Sequence, residues 1–348
     1  MEEKLVYKLG EIGKEDNMMV GRKCANLGEL TKIGMPVPMG FAISVAAQKA
    51  FFEETGLLKK IDALLPSADD LKKNLELQTE TAKKIRELIS ETPMPAKLAD
   101  IIGSYYNELT SALGYEPMVA VRSAGVESRP GTYETFLNVK GINDVMEMVK
   151  KVWSSVFNPR AIAYQVRDNL PVTDSPCIGV AVIEMINATC AGVLFTAEPV
   201  TGDPDTSVIE ANFGLGESVV SGAVVCDVYK IDRKTMSVKE KILGEKGMQI
   251  TTRDTKGGIT KIVTDEASDR LKNTFTLLDD EACEIARLGY LLEDHFGAPQ
   301  DIEWAVDQDR PFPKNIFLLQ ARDIKGVKIE RPKTEVEKAI DDLMKSVF

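Results

Sequence analysis

Asp301-Ile302-Glu303-Trp304, a turn rich in Asp and Pro, and then Leu318-Leu319-Gln320-Ala321-Arg322 form the stretch on which the reading of this 348-residue chain turns. Both halves have the composition of short strands. Strand side chains alternate between faces, so Asp301 and Glu303 share one face of the first while Gln320 and Arg322 share one face of the second. Paired as a hairpin, the two halves bring together two carboxylates, an amide and a guanidinium. That set suits a Mg²⁺ ion holding phosphates: carboxylate and amide oxygens ligate a hard cation, whereas Arg cannot ligate and binds phosphate oxygens instead. A hairpin with scattered solvated charges has the same residues, so the remainder of the chain must decide.

Hydrophobic residues make up 44% of the chain, enough to bury the cores of two or three lobes. A formal net charge of -11 argues against nucleic acid or an anionic membrane as the main partner. It also requires any anion site to concentrate Lys and Arg locally. The cysteines, Cys24, Cys177, Cys190, Cys226 and Cys283, are scattered, odd in number and without a CxxC pair. That pattern points to a reduced cytoplasmic setting and buried thiols rather than metal ligands. No N-terminal apolar run has signal-peptide character, and none approaches the ~20 apolar residues of a membrane span.

Near the N-terminus, Val20-Gly21-Arg22-Lys23 leads into a helix carrying Leu27, Leu30 and Ile33, ended by Gly34 and Pro36. A Gly-plus-Lys turn before a helix is a plausible phosphate cradle or an ordinary helix start. It lacks the spacing of a Walker motif. Pro36 to Ile43 reads as a short strand, and Ser44 caps a helix through about Glu54. Residues 57–113 read as a polar-rich helical insert with Leu71, Leu75, Ala82, Ile85 and Ile89 at helical spacing. Met118 to Ser123 reads as a buried strand delivering Arg122 to a glycine-containing loop at 124–135, which can present a guanidinium and free amides to phosphates or be merely structural.

From Cys177 the chain turns strand-rich. Ile178–Met185, Cys190–Ala197 and Ser207–Asn212 are continuous apolar runs of strands covered on both faces. Alternating strands follow near 225–231, 237–243 and 258–263, and then one long amphipathic helix carrying Leu271, Phe275, Leu278, Ala282, Ile285, Leu288 and Leu292. Beyond Arg322, Thr334 and Glu337 form a capping box before an apolar stripe, predicting a helical tail over 326–348.

In order along the chain, Val20–Leu30, Pro36–Ile43, Val119–Ser123, Thr135–Val139, Ala211–Glu217, Asp301–Trp304 and Leu319–Arg322 resemble successive motifs of one family. It is that of phosphoenolpyruvate synthase, pyruvate phosphate dikinase and rifampin phosphotransferase. The resemblance implies an α+β ATP-grasp fold, two lobes clasping ATP. The expected division is an N-terminal lobe over 1–176 containing the insert, a C-terminal lobe over 177–325 and the tail. Carried over residue by residue, Lys23 and Arg122 would bind the triphosphate. Glu303 and Gln320 would hold Mg²⁺, for which Mn²⁺ can substitute, with Asp301 beside them, and Arg322 would stabilise charge on the transferring phosphates. Gly131 and Thr135 would belong to the loop over the phosphates. Glu184, Met185 and Ile186 would form the hinge whose backbone reads adenine, and Glu217 would contact ribose or adenine.

The chain also departs from the family pattern. Its loop at 127–134 is short, and Arg22 and Cys24 replace glycines beside Lys23, which stiffens that turn. Its only histidine, His295, sits in a segment just before the hairpin rather than in a phosphocarrier motif. The expectation is therefore an ATP-binding subunit whose acceptor histidine and substrate domains lie on a separate polypeptide, as in phenylphosphate synthase, whose final acceptor is phenol. Two alternatives stand beside it: a subunit of a phosphoenolpyruvate synthase-like enzyme acting on pyruvate or another acceptor, and a nucleotide-sensing subunit without turnover.

Overall fold

The computed structural model describes residues 3–126, 133–174, 176–254 and 260–324, with backbone alone between 252 and 265. Gly131 and the tail at 326–348 lie outside the described residues.

Two antiparallel sheets organise the chain. The first contains β1 (Val6–Lys8), β2 (Gly40–Ile43), β3 (Val119–Ala124), β4 (Thr135–Val139) and β5 (Gly179–Glu184), in the order β1-β2-β5-β3-β4. The second contains β6 (Ala188–Phe195), β7 (Thr206–Phe213), β8 (Asp227–Asp232) and β9 (Ser237–Ile242). With β10 (Met248–Asp254) and β11 (Thr260–Glu266) set aside as a separate ribbon, β12 (Gln300–Asp307) and β13 (Ile316–Asp323) complete it, in the order β13-β12-β6-β7-β8-β9. β5 was expected in the second lobe, but it is the middle strand of the first sheet. The changeover falls at residues 185–187 instead of after 176, because the polar interruption at Asn187 and Thr189 between the two apolar runs looks like an ordinary turn within one sheet.

The two faces of the first sheet differ in side-chain size, and that difference places the site. Val119, Val121, Val180 and Val182 point into a core shared with Leu71, Ala82, Ile85, Ile89, Leu98 and Ile102 of the helical insert. The insert consists of helices Leu57–Asp62, Ala68–Lys73, Leu75–Glu91 and Ala96–Leu113, with the Ser67 and Asn74 side chains accepting from Asp70 and Leu77 N–H at two of the starts. Leu75, counted in the apolar stripe, is instead 72% exposed at its helix start. On the opposite face the small side chains Ala42, Ala120 and Ala181 pack against Cys24, Ala25 and Leu27 of helix Arg22–Lys32. Burial raises the Cys24 thiol to about 12, leaving it inert.

Under the second sheet, Leu194, Ile209, Tyr229, Ile302 and Trp304 pack against Ala282, Ile285, Leu288 and Leu292 of helix Asp279–Phe296. The single long helix expected from Leu271 is broken: a short helix, Asp269–Lys272, ends before Thr276 and Leu277. Their backbone N–H groups bond to the Asp227 carboxylate and the Tyr229 hydroxyl, both at 2.8 Å. A buried carboxylate already paired with Lys246 therefore captures backbone that a continuous helix would need.

Candidate functional site

The hairpin pairs in the register that alternation requires: Asp301 opposite Arg322 and Glu303 opposite Gln320. Both Arg322 Nη2 and Nε contact one oxygen of Asp301, at 2.7 and 2.8 Å. The Gln320 amide donates to Glu303 Oε1 at 3.1 Å, leaving its own carbonyl oxygen for a cation. The residues follow from the strand period alone, and the antiparallel pairing then places them in adjacent rows.

The first lobe delivers its cations to the same place. β3 ends past Arg122, whose Nη2 lies 3.5 Å from Glu303 Oε2 and whose Nη1 donates to Leu319 C=O at 3.4 Å. Lys23, one residue into its helix, is half-buried. Its amine is lowered to about 8, first by burial and then by the Arg122 charge, with Glu303 opposing. Gly21 makes the approach feasible: φ is +79°, and a Cβ there would drive into the Ala124 carbonyl oxygen. The helix is also bolted to the second lobe. Asn26 donates to Ala321 C=O at 2.8 Å, Leu30 enters the core under the second sheet, and Glu29 meets His295 Nε2 at 2.7 Å. His295 is thus tied to the helix of the first lobe through Glu29.

Between the sheets lies a cleft of about 1020 Å³. Lys23, Arg122, Thr135, Glu184, Met185, Ile186, Glu217, Asp301, Glu303, Gln320 and Arg322 all line it, so each expected site residue except the undescribed Gly131 is brought to one cavity. Toward residues 185–187 its floor is apolar, built from Ile186, Ala191, Ala305 and Leu319, with Phe317 packed in the same cluster. At this end the Glu184 N–H is taken by Met39 C=O and the Met185 N–H by Met118 C=O. The Glu184 side chain is nearly buried, held by the Tyr115 hydroxyl at 2.7 Å and by Arg310 at 3.1 Å. That contact, together with burial, raises Tyr115 to about 12, burial acting first.

Sequence reasoning missed several participants. Asn26 had a signal in its i+3 spacing from Lys23 on one helix face. Arg22 lines the cleft beside Lys23. Glu210 on β7 lies in the Glu303 row of the second sheet through Val193, and its carboxyl is raised by burial and then by the Asp301 charge. Tyr115 and Arg310 come from segments with no local pattern tying them to Glu184.

Among the described residues no cage of three or more His, Cys, Asp or Glu side chains forms. The Glu303 carboxylate and Gln320 amide oxygen fit a hard ion that completes its shell with water and phosphate oxygens. No helix among the described residues is long and apolar enough to cross a membrane.

Proteins named probable phosphoenolpyruvate synthase from Staphylothermus marinus, Methanothermobacter thermautotrophicus and Archaeoglobus fulgidus are 40%, 37% and 38% identical to the chain. The matches take in 96%, 96% and 95% of this chain but 43%, 48% and 43% of those proteins, so the chain spans less than half the length of these relatives. A solved structure, the macrocyclase MdnC bound with precursor peptide MdnA from Microcystis aeruginosa MRC, aligns over 80% of this chain and 63% of its own. At a TM-score of 0.27 and 10% identity it adds nothing to the argument. The family model described as pyruvate phosphate dikinase, AMP/ATP-binding domain, matches residues 17–343. With two sheets facing each other across a cation-lined cleft, the chain belongs to that family and has its α+β ATP-grasp fold.

Proposed function

We propose that the chain is the ATP-binding, phosphoryl-donating part of a phosphoenolpyruvate synthase-like dikinase. In this reading ATP is cleaved to AMP and phosphate, and one phosphoryl group passes to a histidine on a partner polypeptide. The observation that carries it is the convergence of Lys23 and Arg122 from one lobe on Glu303 of the other, across a cleft with an apolar floor at its far end. Phosphoryl transfer needs positioning and charge neutralisation more than a protein nucleophile, and this is what the residues can supply.

In the bound state the apolar floor takes the base. With the Glu184 and Met185 amides already engaged, the base edge meets the backbone carbonyls and the following amide of the 184–186 segment, while Glu217 lies at the wall on the ribose side. Lys23 and Arg122 hold inner phosphate oxygens, Arg322 exchanges Asp301 for phosphate, and Glu303 and Gln320 orient the metal. Mg²⁺, when bound, neutralises charge on the phosphates. The names of the relatives favour pyruvate over phenol as the final acceptor class.

The test mixes the chain, Mg²⁺ and ATP labelled at the β-phosphate with polypeptides carrying phosphohistidine and substrate domains. Label on a partner histidine together with AMP is expected. ATP binding without AMP under any pairing would leave the nucleotide-sensing reading in its place.

A further inference from the structure

We propose that Arg22 grips the outermost phosphate of the bound nucleotide and so sets a preference for nucleoside triphosphate over diphosphate, an assignment that rests on the nucleotide reading above. Arg22 lines the cleft and is exposed, and among the described residues no carboxylate pairs with it. The other guanidiniums that line the cleft are engaged: Arg122 with Glu303 and Arg322 with Asp301. In a chain with a net charge of -11, an unpaired cation held at the mouth of an anion cleft needs its own account.

Its position along the cleft identifies the ligand group. β3 starts at the hinge, with Val119 opposite Glu184, and runs outward to Ala124 opposite Gly179. Arg122 is three residues along that path. The Arg22 N–H bonds to Gly125 C=O at 3.0 Å, one residue past the strand end. At about 3.3 Å per residue, Arg22 is anchored roughly 20 Å from the hinge level and Arg122 roughly 10 Å. The facing wall has the same order: Ala305 opposite Ala191 near the hinge, then Glu303, then Asp301 opposite Phe195 at the outer end. A nucleotide with its base on the apolar floor therefore presents its inner phosphates to Arg122 and Lys23, at the level of Glu303, and its last phosphate to Arg22.

Two features make Arg22 more than a solvated surface charge. Consecutive helix residues point about 100° apart, so Lys23 can turn inward while Arg22 stays at the mouth, and the two do not duplicate each other. The backbone carrying Arg22 is fixed on both sides, by the Gly125 bond and by the Asn26 bond to Ala321 C=O, so only the side chain has to be ordered on binding.

The test is calorimetric titration of the full chain in Mg²⁺ with the β,γ-imido analogue of ATP and with ADP, for wild type, Arg22→Gln and Arg22→Lys. The expected result is about a tenfold loss of triphosphate affinity in Arg22→Gln, a change of less than about twofold for ADP, and partial recovery in Arg22→Lys. An unchanged triphosphate-to-diphosphate ratio in Arg22→Gln, with wild type binding both, overturns the Arg22 assignment alone. Failure of wild type to bind either nucleotide overturns it together with the nucleotide reading.

Discussion

Asp301 and Arg322 sit directly opposite each other across the β12–β13 hairpin, with two guanidinium nitrogens, 2.7 and 2.8 Å away, converging on one carboxylate oxygen. The pair is asymmetric: the Arg322 side chain is 58% exposed and Asp301 only 13%. Arg322 is thus free to swing toward an incoming anion while Asp301 stays in the cleft wall.

Replacing Arg322 with Ala separates these roles. With its guanidinium exposed to solvent, the pair contributes about 1 kcal/mol or less, so the thermal midpoint should hardly move. AMP formation with the partner present should fall by on the order of 10²-fold, the usual cost of removing a group that stabilises transition-state charge. Wild-type turnover in the variant would remove Arg322 from the chemistry.

Lys23 predicts a pH dependence. Its amine is lowered to about 8 in the free protein, and phosphate binds the protonated form, so nucleotide binding pulls the pKa back up. Affinity should be steady below about pH 8 and fall as pH rises beyond it, by at most about one decade per pH unit. Lys23→Met should bind weakly with this step gone. A wild-type affinity that is flat from pH 7 to 9.5 would contradict the placement of Lys23 against the phosphates.

Glu303→Gln keeps the shape of the hairpin and removes one negative charge from the proposed Mg²⁺ position. The Mg²⁺ concentration needed for half-maximal nucleotide binding should rise several-fold. A superimposable Mg²⁺ titration would reject Glu303 as a ligand.

A fourth expectation concerns the fold. Lys246 and Asp227 are both fully buried and paired, and Asp227 also accepts from the Gly244 and Thr276 N–H groups. Lys246→Met leaves that carboxylate uncompensated and should cost about 3 kcal/mol of unfolding free energy, measured by urea denaturation. A change below about 0.5 kcal/mol would show that the two backbone donors suffice.

What the sequence revealed followed from short-range rules. The two-residue strand period paired Asp301 with Glu303 and Gln320 with Arg322, and the register put them opposite one another. Helix punctuation worked in the same way: Ser44 caps Val45–Thr55. The failures involve contacts between distant segments. The break near Thr276 depends on Asp227, some fifty positions away in sequence, and the Glu184 brace joins Tyr115 to Arg310. No local period encodes such partners. The position of β5 in the first sheet was hidden for a related reason, since a fully buried strand carries no mark of which sheet it joins.

In the reading proposed above, Lys23 and Arg122 of one lobe bind the phosphates of one ATP while Glu303 of the other holds their metal ion. The most direct measurement of this claim is calorimetric titration of the chain with ATP in Mg²⁺, for wild type and for Arg122→Ala. Wild type should bind one ATP per chain, and the variant should bind it at least tenfold more weakly. Absence of binding by wild type, or equal affinity in the two proteins, would contradict this reading.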